Sequence, residues 1–337
     1  MDEAKKLFDS VYTGLQIEEA IAAGLELRND PQLALVNLGA RPNRNLLRNA
    51  YFVGGGSQKG NGYFPINQKG QTEYAYPNKS TTIDGWSMWG AASTAQITDA
   101  GLIVGKKSEG SNTYVVFEQT SDQNIAEGEE LIASVLLDNN ELYTVHLAPG
   151  WVYSGDASVV TTYYRNESIT IRTTADNRIC VRLYWGSAIA LGNTSLHKAV
   201  KLECGAKQTL AYKDADGQWK PSEIPDCGAE LARCQRQLYI PATGTASTYY
   251  SAVVNPTSGD IFFPVILPVP MRAAPAITVA QATLYVGNEQ KTVTPSAVTC
   301  YGLRGNQALC RANGVASGVS AKTGIVEIGG LQLSAEL

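Results

Sequence analysis

The residues of this chain best equipped for chemistry are aromatic. Trp151 and Tyr153 stand in the run Pro149-Gly150-Trp151-Val152-Tyr153-Ser154-Gly155-Asp156, and Tyr163-Tyr164-Arg165-Asn166 follows shortly after. Rings on turn-rich segments can stack on the apolar face of a pyranose, while an arginine, amide or hydroxyl bonds to its hydroxyl groups. Trp151, Tyr153, Tyr163, Tyr164 and Arg165 are therefore expected to form an exposed sugar-binding platform. A second set lies toward the C-terminus: Tyr249, Tyr250, Tyr285, Tyr301 and Arg304, with Asn288, Asn306 and Asn313 beside glycines in turn-like stretches. The two sets stand as alternatives. Trp86 and Trp185 each end a strand-like run and are expected to anchor a core, while Trp89 is placed on a loop.

Other chemistries find less support. The chain has no G-x-S-x-G elbow, no H-E-x-x-H and no phosphate-binding G-x-x-x-x-G-K-[ST]. Gly54-Gly55-Gly56 precedes no helical pattern and reads as a flexible loop. Its two histidines, His146 and His197, are far apart, and His146 alternates with Val145 and Leu147 as a structural strand residue would. Glycoside hydrolysis needs two carboxylates facing each other across a sugar. Glu127, Glu129 and Glu130 instead cluster in a glycine-containing turn and are expected to be solvated. No catalytic residue is assigned and the chain is expected not to be an enzyme. Asp84, Glu118 and Glu203, at strand ends, are the oxygen ligands available for a structural Ca²⁺; no other cofactor is expected. The six cysteines, at 180, 204, 227, 234, 300 and 310, lack C-x-x-C spacing and are expected to be buried reduced thiols. Cys300 and Cys310 could flank a hairpin, which leaves a disulfide between them open.

With 27 Lys and Arg against 31 Asp and Glu, the net charge is −4 and no basic block occurs, so nucleic acid is not an expected partner. No run reaches the roughly 20 apolar residues that span a bilayer, and the first residues do not form a signal peptide. Synthesis in the cytoplasm without membrane insertion is expected.

These residues must be positioned by a mainly β fold. The chain is rich in Gly (32) and Tyr (17), and only 17% of it is charged. Residues 1–28 read as helical, with Ile17, Ala20, Ile21 and Leu25 on one face, and 29–44 as linker. About eight short β-branched or aromatic runs follow between 45 and 212, from Ala95–Ile97 to Leu196–Glu203, and suggest a two-sheet jelly roll. In one of them Ile179, Val181 and Leu183 alternate with Cys180, Arg182 and Tyr184. Residues 213–240 read as a polar connector and a helix capped by Asp226, with Cys227, Leu231, Cys234 and Leu238 sharing a face. Residues 241–337 read as a C-terminal β-sandwich domain. Pro264, Pro268 and Pro270 would place their segment along an edge or between subunits.

Five stretches resemble, in order, the tail-fibre and minor tail proteins of bacteriophages and prophages. They are Tyr12-Thr13-Gly14 through Ala20-Ile21; Asn45-Leu46-Leu47-Arg48-Asn49 through Asp84-Gly85-Trp86; Val200-Lys201-Leu202-Glu203-Cys204-Gly205; Glu230-Leu231-Ala232-Arg233-Cys234-Gln235-Arg236-Gln237-Leu238-Tyr239; and Phe263-Pro264-Val265 through Met271-Arg272-Ala273-Ala274-Pro275. Gln237 and Leu238 depart from the pattern, standing where such proteins carry aromatics. The resemblance implies a carbohydrate-binding-module-like jelly roll and a C-terminal receptor-binding domain. It implies a non-catalytic receptor-binding protein of the virion tail that attaches to a bacterial surface glycan. Its partners would be further copies of itself, as a homotrimer, and a tail or baseplate protein met through the N-terminal segment. An accessory carbohydrate-binding module of a secreted protein, and a structural tail component without a ligand, are the alternatives.

Overall fold

The computed structural model describes residues 43–54, 64–75, 80–90, 93–106, 114–165, 167–186, 194–242, 246–286, 289–314 and 323–335. The expected helices of residues 1–28 and the Tyr12–Ile21 motif lie outside them. The described chain is mainly β, as expected, with antiparallel strands throughout and one helix. It divides into two compact units. One holds the described residues up to Tyr51 together with Ile103–Ile224; the other holds Phe52–Leu102 together with the described residues from Pro225 onward.

In chain order the first strands are β1 (Glu73–Ala75), β2 (Ser80–Thr81), β3 (Ser87–Trp89), β4 (Ser93–Thr98), β5 (Gly101–Lys106) and β6 (Val115–Thr120). Then come β7 (Leu131–Leu137), β8 (Leu142–Leu147), β9 (Ser158–Tyr164), β10 (Glu167–Thr173), β11 (Ile179–Trp185) and β12 (Thr194–Cys204). The hairpin β13 (Ala211–Lys213) and β14 (Trp219–Pro221) precedes the helix α1 (Cys227–Gln235). The remainder is β15 (Leu238–Tyr239), β16 (Ser247–Val254), β17 (Ile261–Ile266), β18 (Ala276–Thr278), β19 (Gln281–Val286), β20 (Glu289–Val293), β21 (Val298–Arg304), β22 (Gln307–Ala312), β23 (Thr323–Gly329) and β24 (Gln332–Ser334).

The first unit is a sandwich. Within this unit the strands β5-β12-β7-β8 of one sheet face β6-β11-β10-β9 of the other. Period-two alternation decides which side chains enter the space between them. In β11, Ile179, Val181, Leu183 and Trp185 are buried, in register with Thr173, Ile171, Ile169 and Glu167 of β10. Ring contacts join the sheets: Trp185 of β11 meets His197 of β12 edge-on at 5.3 Å, and Tyr143 of β8 stacks on Tyr164 of β9 at 4.1 Å. All of β7 is buried. The opening and closing motifs lie side by side: Asn45 Oδ1 accepts from Leu202 N at 3.1 Å, and Asn45 Nδ2 donates to the Val200 carbonyl at 2.9 Å. Residues 46–49 bend, and an isolated bridge, Tyr51 to Ala199, follows. Lys201 and Glu203 on β12 are both buried. They share Thr209, whose backbone N–H donates to Glu203 Oε1 at 2.6 Å and whose hydroxyl accepts from Lys201 Nζ at 2.6 Å.

The second unit is built on a seven-stranded sheet, β20-β19-β23-β16-β17-β22-β21, and a three-stranded one, β15-β24-β18. Its core gathers Ile261, Phe263, Leu284, Val293, Val326, Ile328 and Leu333. Gly324 in β23 is required to be small: a Cβ there would lie 2.6 Å from the Tyr285 carbonyl oxygen. The earlier stretch is tied in by Gln68. Its Nε2 donates to Asp84 Oδ2 and to the Leu238 carbonyl, both at 2.6 Å, and its Oε1 accepts from Ile240 N at 3.3 Å. Phe52 meets Trp86 edge-on at 5.7 Å, both fully buried, so Trp86 is a core anchor, as expected.

Two strand-level expectations need correction. Leu238 does not share the helix face: α1 ends at Gln235 and Leu238 opens β15. Asp226 does cap the helix, accepting from Ala229 N at 2.7 Å. Pro264 stands inside β17, between β16 and β22, rather than on an outer edge. The strand tolerates it because β16 pairs with β17 only at Val253–Phe262 and Val254–Ile261. Opposite Pro264 only β22 is in register, through Leu309, so no ladder partner for the missing N–H is lost.

Candidate recognition face

The seven-stranded sheet has one face on the core and one in solvent. Alternation sends Ala252 and Val254 of β16 inward and Tyr249, Ser251 and Val253 outward. The register then aligns outward residues in rows. Thr283 of β19, Glu327 of β23 and Tyr249 are opposed in sequence across the sheet; so are Tyr285, Ile325 and Ser251. A third row runs Thr323, Val253, Phe262, Arg311 and Thr299. An extra residue in β21, between the pairs Cys300–Cys310 and Gly302–Leu309, brings Tyr301 edge-on to Phe262 at 5.3 Å. Tyr249 is 64% exposed and Tyr301 61%, and Val253, Ile266 and Ile325 are exposed with them.

Fixed charges sit among these rings. Arg311 holds its guanidinium 5.8 Å from the Tyr301 ring centre and 5.9 Å from that of Phe262. Its Nη2 is anchored on Asp260 Oδ2 at 2.7 Å. The Gly314 backbone N–H, with Ser258 and Arg311, holds the Asp260 carboxyl below its ordinary range. Tyr285 donates its hydroxyl to Glu327 Oε2 at 2.8 Å; this bond lowers the Glu327 carboxyl and raises the Tyr285 phenol. The face thus offers flat rings, a cation, an anion and hydroxyls without requiring a deep cavity.

The expected site residues separate. Tyr249, Tyr301 and Arg304 are exposed on this sheet, and Tyr285 is half-buried on its outer face. Tyr250 is not available. It alternates inward, tilts against Phe263 at 5.5 Å and packs on the core. The expected platform of the first unit breaks up. Trp151 is 8% exposed; its indole N–H donates to the Glu129 carbonyl at 2.6 Å and its ring meets Tyr153 edge-on at 5.0 Å. The Tyr153 hydroxyl in turn donates to the Ile125 carbonyl at 2.8 Å. These two rings pin the 125–129 turn instead of facing solvent. Tyr163 and Tyr164 are on β9, not on a loop, so alternation leaves Tyr163 80% exposed and Tyr164 5%. Arg165 follows at φ 52° and pairs with Glu141 at 2.8 Å. Tyr163 lies across Ser168 from Tyr184, which stacks on Tyr114 at 6.1 Å.

The expected Ca²⁺ ligands are each engaged elsewhere. Asp84 is held by Gln68, Glu118 takes Arg182 Nε and Nη2 at 2.8 and 2.7 Å, and Glu203 takes Lys201 and Thr209. No group of three or more His, Cys, Asp or Glu among the described residues could hold a metal ion. Of the acidic turn, Glu127 accepts from Tyr153 N at 2.8 Å and Glu130 pairs with His146 at 3.0 Å. Cys204 is exposed, contrary to the expected burial, and Cys227 and Cys300 are half-buried. No described helix is long and apolar enough to cross a membrane.

Phe262, Arg311, Glu327, Val253 and Ile325 belong to the face but are not among the residues expected from the sequence. Their signal is there: each occupies the outward phase of a strand whose inward phase is apolar.

No family model matches the chain, and no curated protein matches it. Among solved structures, an agarase crystal structure matches with a TM-score of 0.18 and 11% identity over 67% of this chain. The match spans 37% of the agarase, and a likeness at that level carries no argument about fold or activity.

Proposed function

We propose that this chain is a non-catalytic receptor-binding protein of a bacteriophage or prophage tail, and that it attaches to a bacterial surface glycan. Its seat is the virion tail, its working form a homotrimer, and residues 1–44 join it to a tail or baseplate protein. The observation that carries the reading is the open outer face of the seven-stranded sheet. There Tyr249, Tyr285, Phe262 and Tyr301 are set beside Arg311 and Glu327. Rings stack on sugar faces, while the arginine and carboxylate address hydroxyl groups. Repeating one weak site around a threefold axis raises avidity without new contacts.

The test is retention on a glycan array and on host cells. Tyr301→Ala should weaken binding about tenfold, the effect of roughly 1.4 kcal/mol from one truncated contact ring. Unchanged binding with the fold intact would remove the face from the site. Release of reducing sugar from surface polysaccharide would contradict the non-catalytic reading.

The aliphatic residues on the face, Val253, Ile266 and Ile325, favour a second reading in which another copy covers it. Light scattering separates the two when combined with Val253→Lys. Loss of the oligomer would assign the face to assembly; a preserved oligomer that no longer binds glycan would assign it to recognition.

A further inference from the structure

Cys300 on β21 and Cys310 on β22 are directly opposed in the antiparallel register. Opposed residues put their side chains on the same face of a sheet, with Cα atoms about 4.5 or 5.5 Å apart according to the pairing type. Both separations fall within the roughly 4.4–6.8 Å that a disulfide spans. The other four cysteines are placed differently. Cys180 is opposed by Thr120 and Arg172, Cys204 by Leu131, and Cys227 and Cys234 lie on one helix. Cys310 is fully buried against the core, whereas Cys300 is half-buried, its Sγ 3.6 Å from the Gly302 carbonyl.

We propose that Cys300 and Cys310 are a redox pair that closes to a cross-strand disulfide and staples β21 to its neighbour where the extra residue Tyr301 is inserted. β21 is the last strand of the sheet order, paired on one side by β22, and it carries Tyr301 and Arg304. The staple would fix that edge of the outer face. The inference is independent of what the face binds.

The accessible thiol reacts first. The Cys300 thiolate attacks a small disulfide of the glutathione type, forming a mixed disulfide and releasing one thiol. The Cys310 thiolate then attacks Cys300 Sγ and releases the second thiol. The pair loses two electrons and two protons, and the small disulfide takes them up as two thiols. Burial lifts Cys310 to about 12, with the neighbouring Cys300 adding to the rise, and also raises Cys300. Closure is therefore slow near neutrality, and each added pH unit should speed it about tenfold while the thiolate fraction limits it.

The experiment treats the full chain with glutathione disulfide, alkylates the remaining thiols after unfolding, and maps the peptides by mass spectrometry. The expected result is one linked species joining the Cys300 and Cys310 peptides, short of two hydrogen atoms. Cys180 and Cys234 should be recovered alkylated. In Cys300→Ser the link should vanish and Cys310 should stay a thiol. Two results overturn the proposal: a Cys300–glutathione adduct that never resolves, or both cysteines recovered as free thiols. The wild-type map reads the bond directly, so the test holds even where a variant fails to fold.

Discussion

Glu167 occupies a core position. It faces Trp185 across the β10–β11 register, where its strand neighbours Ile169 and Ile171 are fully buried. Ser195 donates its hydroxyl to Glu167 Oε1, and His197 Nε2 lies 4.0 Å from Oε2. Burial is the main influence on the carboxyl and pushes it from 4.5 up to about 7, against opposing contributions from Trp185, Arg165 and Tyr164. A folded-state value above the unfolded one means that the folded chain holds the proton more tightly. That stabilisation is complete below pH about 4.5 and is lost as pH rises through about 7. The loss should amount to roughly 3 kcal/mol at 1.36 kcal/mol per unit. Glu167→Gln keeps an acceptor for Ser195 and cannot ionise. Denaturant unfolding across this pH range should show a declining stability for the wild type and a flatter profile for the variant. Equal slopes would mean that Glu167 is not the titrating group.

At the scale of elements, the most legible features are those written in period two. The alternation in residues 179–185 names the buried side of β11 correctly, and Trp185 is buried as expected. The cap at Asp226 is equally plain, since a carboxylate at that position meets an otherwise unpaired N–H. Asp226→Ala should destabilise the second unit by about 1 kcal/mol, measured as a shift in its unfolding midpoint, while Asp226→Asn should restore most of it. A shift absent from both would show that the cap contributes nothing. Other features are hidden for identifiable reasons. Trp151 stands among glycines and polar residues, and its burial depends on the Glu129 carbonyl 22 positions away. The turn-forming Arg165-Asn166 pulls Tyr163 and Tyr164 toward a loop reading, yet the β-branched run Val159 through Thr162 carries the strand up to them. Period two along β9 is what separates the two rings. Pro264 reads as an edge marker by a sound rule. The strand is indeed unpartnered on one side at that residue, but this follows from where β16 stops being in register, which no local pattern records.

At the scale of the molecule, the expected borders follow chain order, whereas the compact units do not. Residues 52–102 group with the chain beyond Pro225, held there by the Gln68 bonds to Leu238 and Ile240. Such long-range closure is carried by single amides and carbonyls and leaves no periodic trace. The two-faced sheet of the second unit is different, since its outward aromatic phase can be read strand by strand. It sets up a direct comparison, because two adjacent tyrosines of β16 point to opposite sides. Tyr249 is in solvent beside Glu327, and Tyr250 packs on Phe263. The decisive measurement is glycan or host-cell binding, with thermal unfolding in parallel, for Tyr249→Ala and Tyr250→Ala. A recognition role for the outer face predicts that Tyr249→Ala loses about tenfold in binding at unchanged Tm. Tyr250→Ala should lower Tm through the roughly 3 kcal/mol loss of a core ring. Full binding by a folded Tyr249→Ala chain would contradict the account.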